Sequence, residues 1–396
     1  MNKTVTLHLN ILNFSSFLQY QRFIMPISFL FYISNGLTFS DFVFFQSIFN
    51  ITCLISKIPM GFLGDIFPKK HLIIISYLMF TLRVLLWIFF SGFWVILAGE
   101  ILYGLFKALF RGNVDSYIYE LLKKNNIEAK MMSGYGKLSL YTSIGSALSC
   151  IAGAILYKYT GFKTILILEL VFQIVAVILL CFIPNIPAAN KPGRTFTQHL
   201  NDLRQSILST ITNEKINYLV YYSAFLTGMT TVFVWNFQPL LKYSHAPVIL
   251  FGVVSFVNQL LRGIGGACAN FFVKLFKTSI TKIEYMFVIL AFLMILSAYK
   301  VNNYIFSALA IFIVSAAIML FVVFNIYTVS KIHANTPDAS RASTSSTSTF
   351  WGDFSAFIML ISFKFLYDGV GLKYTLLIFF LLAMILLFPR RSHNSV

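Results

Sequence analysis

The feature that most constrains this chain is the recurrence, from one end to the other, of apolar runs about 18 to 25 residues long. Each is long enough to cross roughly 30 Å of hydrocarbon as a helix. Runs such as "HLIIISYLMF" are continuously apolar rather than alternating in segments of about ten residues, which fits helices better than a barrel. With 58% hydrophobic residues, 11% charged residues and a mean hydropathy of +0.80 over 396 residues, lipid rather than water is the expected solvent for most of the chain.

Twelve spans are predicted, at residues 13–35, 41–64, 71–91, 93–115, 134–157, 161–183, 216–240, 247–273, 283–300, 303–328, 341–365 and 371–389. Six lie on each side of "PNIPAANKPGRTFTQHLNDLRQSILSTITNEK", the one stretch with a linker's composition. The expected fold is an all-α membrane protein built from an N-terminal six-helix bundle (residues 1–183), a cytoplasmic linker (184–215) and a C-terminal six-helix bundle (216–396). The opening "MNKTVTLHLNILNF" lacks a basic n-region, a compact apolar h-region and a small-residue cleavage site, so it reads as mature sequence.

A net charge of +17 raises the question of nucleic acid, and the positions of the cations answer it. Eighteen lysines and arginines, Lys69, Lys70, Lys123 and Lys124 among them, fall in loops or tails on one side, against five on the other: Lys158, Lys163, Lys242, Lys300 and Lys373. That asymmetry places both termini in the cytoplasm and accounts for the basic charge without a nucleic-acid partner. Cys53, Cys150, Cys181 and Cys268 fall inside apolar segments without metal-ligand spacing and read as packing residues. No cofactor and no metal site is expected.

An internal repeat appears at an offset of 205 residues: Lys57, Gly61, Asp65 and Lys69 map to Arg262, Gly266, Asn270 and Lys274. Such a match suggests two duplicated halves related about an axis along the membrane normal. The stretch "GFLGDIFPKK" resembles the signature loop between the second and third helices of the major facilitator superfamily. Gly61, Asp65, Lys69 and Lys70 match that pattern, while Ile66 and Pro68 replace its first basic residue and its glycine. "FRGNVDSYIYELLKK" and "NTPDASRAS" are similar to the end of the fourth helix and the loop before the eleventh in bacterial members. The resemblance implies the fold of that superfamily, a secondary transporter of alternating access, with Gly61, Gly64, Asp65, Lys69 and Lys70 forming a gating loop.

Charges inside spans need partners, water or a task. The fourth span carries Glu100, Lys107, Arg111 and Asp115 at spacings of seven, four and four, which puts them on one helix face. That stripe reads as a cavity wall, or as an Arg111–Asp115 ladder steadying the helix. Lys57 and Arg262 are the second constellation. The resemblance places their helices at the interface between halves, gives Lys57 a partner in Asp353, and leaves Arg262 without an acid. Arg22 and Arg83 add to the cations, against Glu100, Asp115, Glu169 and Asp353, a balance that leans toward anionic or zwitterionic cargo. Asn236, Gln238 and Asn325 are candidates for orienting contacts, because by resemblance their helices line the cavity. The fifth span, rich in Gly, Ser and Ala, suits close helix packing.

The chain has no zinc-protease motif and no G-x-G-D element, since residue 62 is Phe, so it does not read as a membrane enzyme. The expectation is a multi-pass carrier of the bacterial inner membrane, monomeric, moving a small organic molecule with proton coupling and in the direction of efflux, with Asp115 and then Glu100 as coupling acids. An uptake symporter or uniporter for an anionic or zwitterionic metabolite, and a transport-inactive receptor with the same fold, are the alternatives.

Overall fold

The computed structural model of the chain describes residues 3–127, 130–186, 214–268, 304–334 and 341–387, together with residues 197, 198, 201, 204, 205, 208 and 271. Its elements are α1 (Lys3–Gln19), a 3₁₀ turn (Met25–Ile27), α2 (Ser28–Ser34), α3 (Phe39–Ile66), α4 (Lys69–Phe89), α5 (Phe93–Lys123), α6 (Met131–Cys181), α7 (Glu214–Tyr243), α8 (Val248–Ala267), α9 (Tyr304–Ala334) and α10 (Arg341–Leu387). The expected ninth span at 283–300, most of the linker, and Asn270 and Lys274 of the repeat lie outside the described residues, as does the side chain of Asp65.

Local chemistry fixes the boundaries. A capping box starts α3: Thr38 Oγ1 accepts the Asp41 N–H at 3.2 Å, and Asp41 Oδ2 accepts the Thr38 N–H at 2.8 Å. Pro68 ends it by holding Phe67 extended (φ −98°, ψ 149°) and then stands at the N-cap of α4. Among the described residues, six stretches are long and apolar enough to cross a membrane: Phe39–Gly64, Lys69–Phe89, Phe93–Lys123, Ser133–Cys181, Val248–Gly266 and Thr349–Leu382.

The long helices α6 and α10 are each two passes. Gly161 (φ 76°) and Gly371 (φ 78°) adopt left-handed conformations that side chains disfavour, and the chain turns back at each. Contacts with α1 demonstrate the reversal in α6. Along the first limb Gly145 meets Phe17 and Gly153 meets Phe23, so that limb runs parallel to the first span. Along the second, Ser15 donates to the Ala176 carbonyl and Gln173 to the Gln19 carbonyl, so it runs antiparallel. In α10, Phe363 and Phe379 pack with ring centroids 5.3 Å apart, each eight residues from Gly371. Rows such as Leu140, Ile144 and Leu148 on α6 point outward, the exposure a lipid-facing stripe requires.

The first span departs from expectation. Instead of one helix over 13–35, α1 begins at Lys3 and stops at Gln19, residues 20–24 leave the helix, and the path resumes through the 3₁₀ turn and α2. Pro26 explains the interruption, since it lacks an N–H and cannot continue an i to i−4 ladder. Exposed backbone at this depth is tolerated only if its polar groups find partners, and they do. Gln173 donates to the Gln19 carbonyl at 3.0 Å, Glu169 Oε2 accepts the Ile24 N–H at 3.2 Å, and Gln238 Oε1 accepts the Phe29 N–H at 2.9 Å while its Nε2 donates to the Met25 carbonyl at 3.0 Å.

The turns at 35–38, 90–92, 161, 244–247 and 371 share one end of the bundle, here called outer; the α3–α4 junction and the end of α6 share the inner end. Between the halves the outer end is shut. Phe39 packs edge-on to Tyr367 at 4.5 Å and to Tyr243 at 6.4 Å, Phe42 to Trp235 at 5.9 Å, and Ser40 Oγ donates to Asp368 Oδ2 at 2.9 Å.

Candidate functional site

Toward the inner end, α3 and α5 of one half and α8 and α10 of the other carry charges that act on one another, and the space between these helices is here called the cleft. Gly104 brings α5 close to α3: a Cβ there would meet Thr52 at 2.8 Å and the Phe49 carbonyl at 3.0 Å. This contact sets Lys107 Nζ 4.8 Å from the Phe49 ring centroid, within cation–π range. One turn further on, Arg111 is exposed, and on α8 so is Arg262. The two guanidinium groups are near enough to repel each other, and Tyr103 lies within electrostatic reach of Arg262. No ion pair or hydrogen bond joins either arginine to another described residue. A Cβ placed at Gly112, Gly263 or Gly266 would meet nothing within 4 Å.

Lys57 and Asp353 form an ion pair from α3 to α10, as the resemblance implied, with side chains 33% and 19% exposed. Lys57, Lys107, Arg111 and Asp353 all act electrostatically on Cys53, which places the four charges around one stretch of α3. Asp115 is half-buried one turn below Arg111; its backbone carbonyl accepts the Tyr135 hydroxyl at 3.1 Å, and it forms no salt bridge with Arg111. Asn325 is half-buried on α9.

Glu100 leaves the expected stripe. It is 2% exposed, and its Oε1 accepts the Tyr32 hydroxyl at 2.6 Å and Arg83 Nη2 at 3.0 Å, while Arg83 lies over the Trp87 ring at 3.8 Å. Arg22 is buried as well, donating to Tyr103 and, at 3.1 Å, to Gln19 Oε1. Glu100 and Arg22 line a separate small cavity with Tyr32, Gln46, Arg83 and Tyr103. Tyr103 thus lines this cavity and also lies within electrostatic reach of Arg262. Gln238 is occupied with the backbone of the broken span, and Asn236 is fully buried, its Nδ2 donating to the Val232 carbonyl at 2.7 Å; neither amide is open to the cleft.

The loop residues hold the first half together. Lys69 is buried with its ammonium on the Gly64 carbonyl, and Lys70 Nζ donates to the Cys181 and Ile183 carbonyls, each at 2.7 Å, closing the C-terminal end of α6. A Cβ at Gly64 would meet Asn113 Oδ1 at 3.0 Å, whereas Gly61 is exposed. Cys53 and Cys150 are buried as packing residues should be, but Cys181 and Cys268 are exposed at helix ends. Tyr103, Gln46, Glu169 and Gln173 were not singled out for the site from sequence. Glu169 and Gln173, four apart in an apolar run, were a legible polar pair; Tyr103 is one tyrosine among 20.

Helices that meet along α3–α10 and α6–α8, closed at the outer end by aromatic rings and carrying unpaired arginines toward the inner end, fit a membrane transporter. The sequence profile of the Major Facilitator Superfamily matches residues 10–360, and the chain belongs to that family. It is 25% identical over 161 residues to the "Uncharacterized transporter BU466" of Buchnera aphidicola subsp. Acyrthosiphon pisum (strain APS), a match covering 39% of this chain and 40% of that relative's length. Among solved structures it is similar to a mutant form of the nucleoside transporter NupG, with a TM-score of 0.80, 14% identity and coverage of 97% of this chain and 98% of the other. A POT family transporter in complex with 5-aminolevulinic acid is also similar, with a TM-score of 0.73, 12% identity and coverage of 96% and 94%. At these identities the likeness is one of fold.

Proposed function

We propose that the chain is a secondary active carrier of the bacterial inner membrane that moves a small organic anion by alternating access, coupled to protons, with both termini in the cytoplasm and the cleft open to that side. The observation that carries this reading is the pair Arg111 and Arg262, one from each half, whose charges repel and which have no acid partner among the described residues. Two guanidinium groups held together repel, and an anion between them relieves that repulsion while accepting paired hydrogen bonds from both. Because one arginine belongs to each bundle, a bound anion draws the halves together at the open end. The outer contacts of Phe39, Ser40 and Gln238 then become the ones that part. Net direction follows from the solute and proton gradients, so one carrier serves export or uptake. Asp353, beside Lys57, supports a second reading in which the cargo is a zwitterion whose ammonium engages that carboxylate.

The test is accumulation of cationic, neutral and anionic fluorescent compounds in exporter-deficient bacterial cells and in inverted vesicles from them. Wild type, Arg111→Ala, Arg262→Ala and Asp353→Asn are compared at matched membrane amounts, with and without a protonophore. Energised movement of anionic probes only, lost in both arginine variants, is expected. Movement of zwitterionic probes that also needs Asp353 favours the second reading. Cation transport, or anion transport indifferent to both arginines, overturns the proposal.

A further inference from the structure

Glu169, on the second limb of α6, is fully buried and stands outside the cleft. Its Oε2 accepts the Ile24 N–H, the Phe23 amide faces the same carboxylate, and its Oε1 has no partner. The charged groups that face it are Arg83 from α4 and Arg22 from the unwound segment, and both are engaged elsewhere: Arg83 with Glu100, Arg22 with Tyr103 and Gln19.

A carboxylate at this depth is costly when charged unless donors hold it, and here the donors are two backbone amides of a segment that has already left the helix. Such a segment can move. Its other side rests on Gly153, where a Cβ would run into the Phe23 carbonyl, so glycine leaves it a place to lie. The small cavity is lined by Ile24 as well as Arg22, so it ends against the segment that covers the carboxylate.

We propose that Glu169 is the site at which this carrier takes up and releases its coupling proton, and that its charge state sets how tightly residues 20–24 are held against α6. The inference rests on the proton-coupled reading above and moves the coupling acid from Asp115 and Glu100 to Glu169. The proton adds to the unpartnered Oε1 and forms an O–H bond; no other covalent bond changes. The Ile24 and Phe23 amides then face a neutral acid, and their hydrogen bonds weaken. Release of the segment carries Arg22 with it, and Arg22 donates to Tyr103, which lies beside Arg262. Proton occupancy is thereby linked to the arginine that meets the anion.

The test needs no solute, so its outcome is separate from that of the anion reading. Protein in phosphatidylethanolamine–phosphatidylglycerol vesicles is titrated by infrared difference spectroscopy, and amide hydrogen exchange is followed in the peptide covering residues 20–27. Wild type is expected to show a protonated-carboxyl band that titrates and disappears in Glu169→Gln but remains in Asp115→Asn. Exchange at residues 20–27, corrected for its intrinsic pH dependence, is expected to be roughly tenfold faster on the acid side of that titration, the factor that weakening a charge-assisted bond implies. In Glu169→Gln it is expected to be fast at every pH. A band that persists in Glu169→Gln, a band lost in Asp115→Asn, or exchange in wild type that ignores the titration overturns the proposal. If Glu169→Gln fails to fold, Glu169→Asp decides: a displaced titration supports the site and an unmoved one removes it.

Discussion

Lys57 on α3 and Asp353 on α10 are joined by an ion pair that runs from one half of the transporter to the other at the edge of the cationic cleft. Both side chains remain partly exposed, so the pair adds only about 0.2 to 1 kcal/mol to stability. An energy near 1 kcal/mol is nonetheless enough to change the ratio of two conformations by about fivefold. Lys57→Met and Asp353→Asn are therefore expected to leave the melting temperature nearly unchanged and to lower the population that is open at the inner end. The exchanged variant, Lys57→Asp with Asp353→Lys, recovers it. Distance distributions between spin labels on α3 and α10 measure the shift, and equal distributions in all four proteins refute it.

That pair was legible in the sequence because a cation inside an apolar run demands a partner, and the family resemblance set its helix beside the helix of Asp353. The break in the first span was not, because hydropathy over 13–35 records residue type and is blind to backbone hydrogen bonds; Pro26 was the overlooked sign. The stripe Glu100, Lys107, Arg111, Asp115 was correct as an angular prediction. Over fifteen residues, however, a helix rises about 22 Å, so residues on one face need not share one environment. Glu100 meets Tyr32 and Arg83 at the packed outer part, and Arg111 opens into the cleft. Gln238 shows the same limit: its polar tip was foreseen, but its partners are backbone atoms that no side-chain pattern announces.

Gln238 closes the outer end by holding the backbone on which α2 begins. In Gln238→Leu the Phe29 N–H and the Met25 carbonyl lose their partner, each costing about 1 to 3 kcal/mol while it stays buried. Opening to water is the cheaper alternative. Ser28→Cys, in a background with Cys53, Cys150, Cys181 and Cys268 replaced by Ser, is expected to react several-fold faster with a membrane-impermeant maleimide when Gln238→Leu is added. An unchanged rate shows that the outer seal rests on the Phe39, Tyr243 and Tyr367 rings instead.

The glycines of the first limb of α6 divide into two kinds. At Gly145 and Gly153 a Cβ would collide with the carbonyls of Phe17 and Phe23, backbone that cannot swing aside, whereas at Gly136 it would meet nothing within 4 Å. Gly153→Ala is expected to destabilise the detergent-solubilised protein by about 1 to 3 kcal/mol. Gly136→Ala is expected to be neutral or to stabilise it by up to about 1 kcal/mol through helix propensity. Thermal unfolding followed by monodispersity on size exclusion ranks the two, and equal behaviour contradicts the close approach of residues 20–24 to α6.

Glu100 separates a structural acid from a coupling acid. Its ion pair with Arg83 is buried on both sides, 2% and 7% exposed, and Tyr32 adds a third member. Removing only the charge of Glu100 leaves the Arg83 guanidinium uncompensated, which for a buried pair costs about 3 to 5 kcal/mol, so Glu100→Gln is expected to lose much of its membrane abundance. Replacing both partners removes the orphaned charge, and Glu100→Gln with Arg83→Met is expected to regain abundance. Transport in that double variant is then the informative quantity. If Glu100 only braces α4, α5 and α2, protonophore-sensitive movement of anionic probes per molecule returns to near the wild-type rate. If transport returns but no longer responds to the protonophore, Glu100 carries the proton, and the role assigned to Glu169 fails with it.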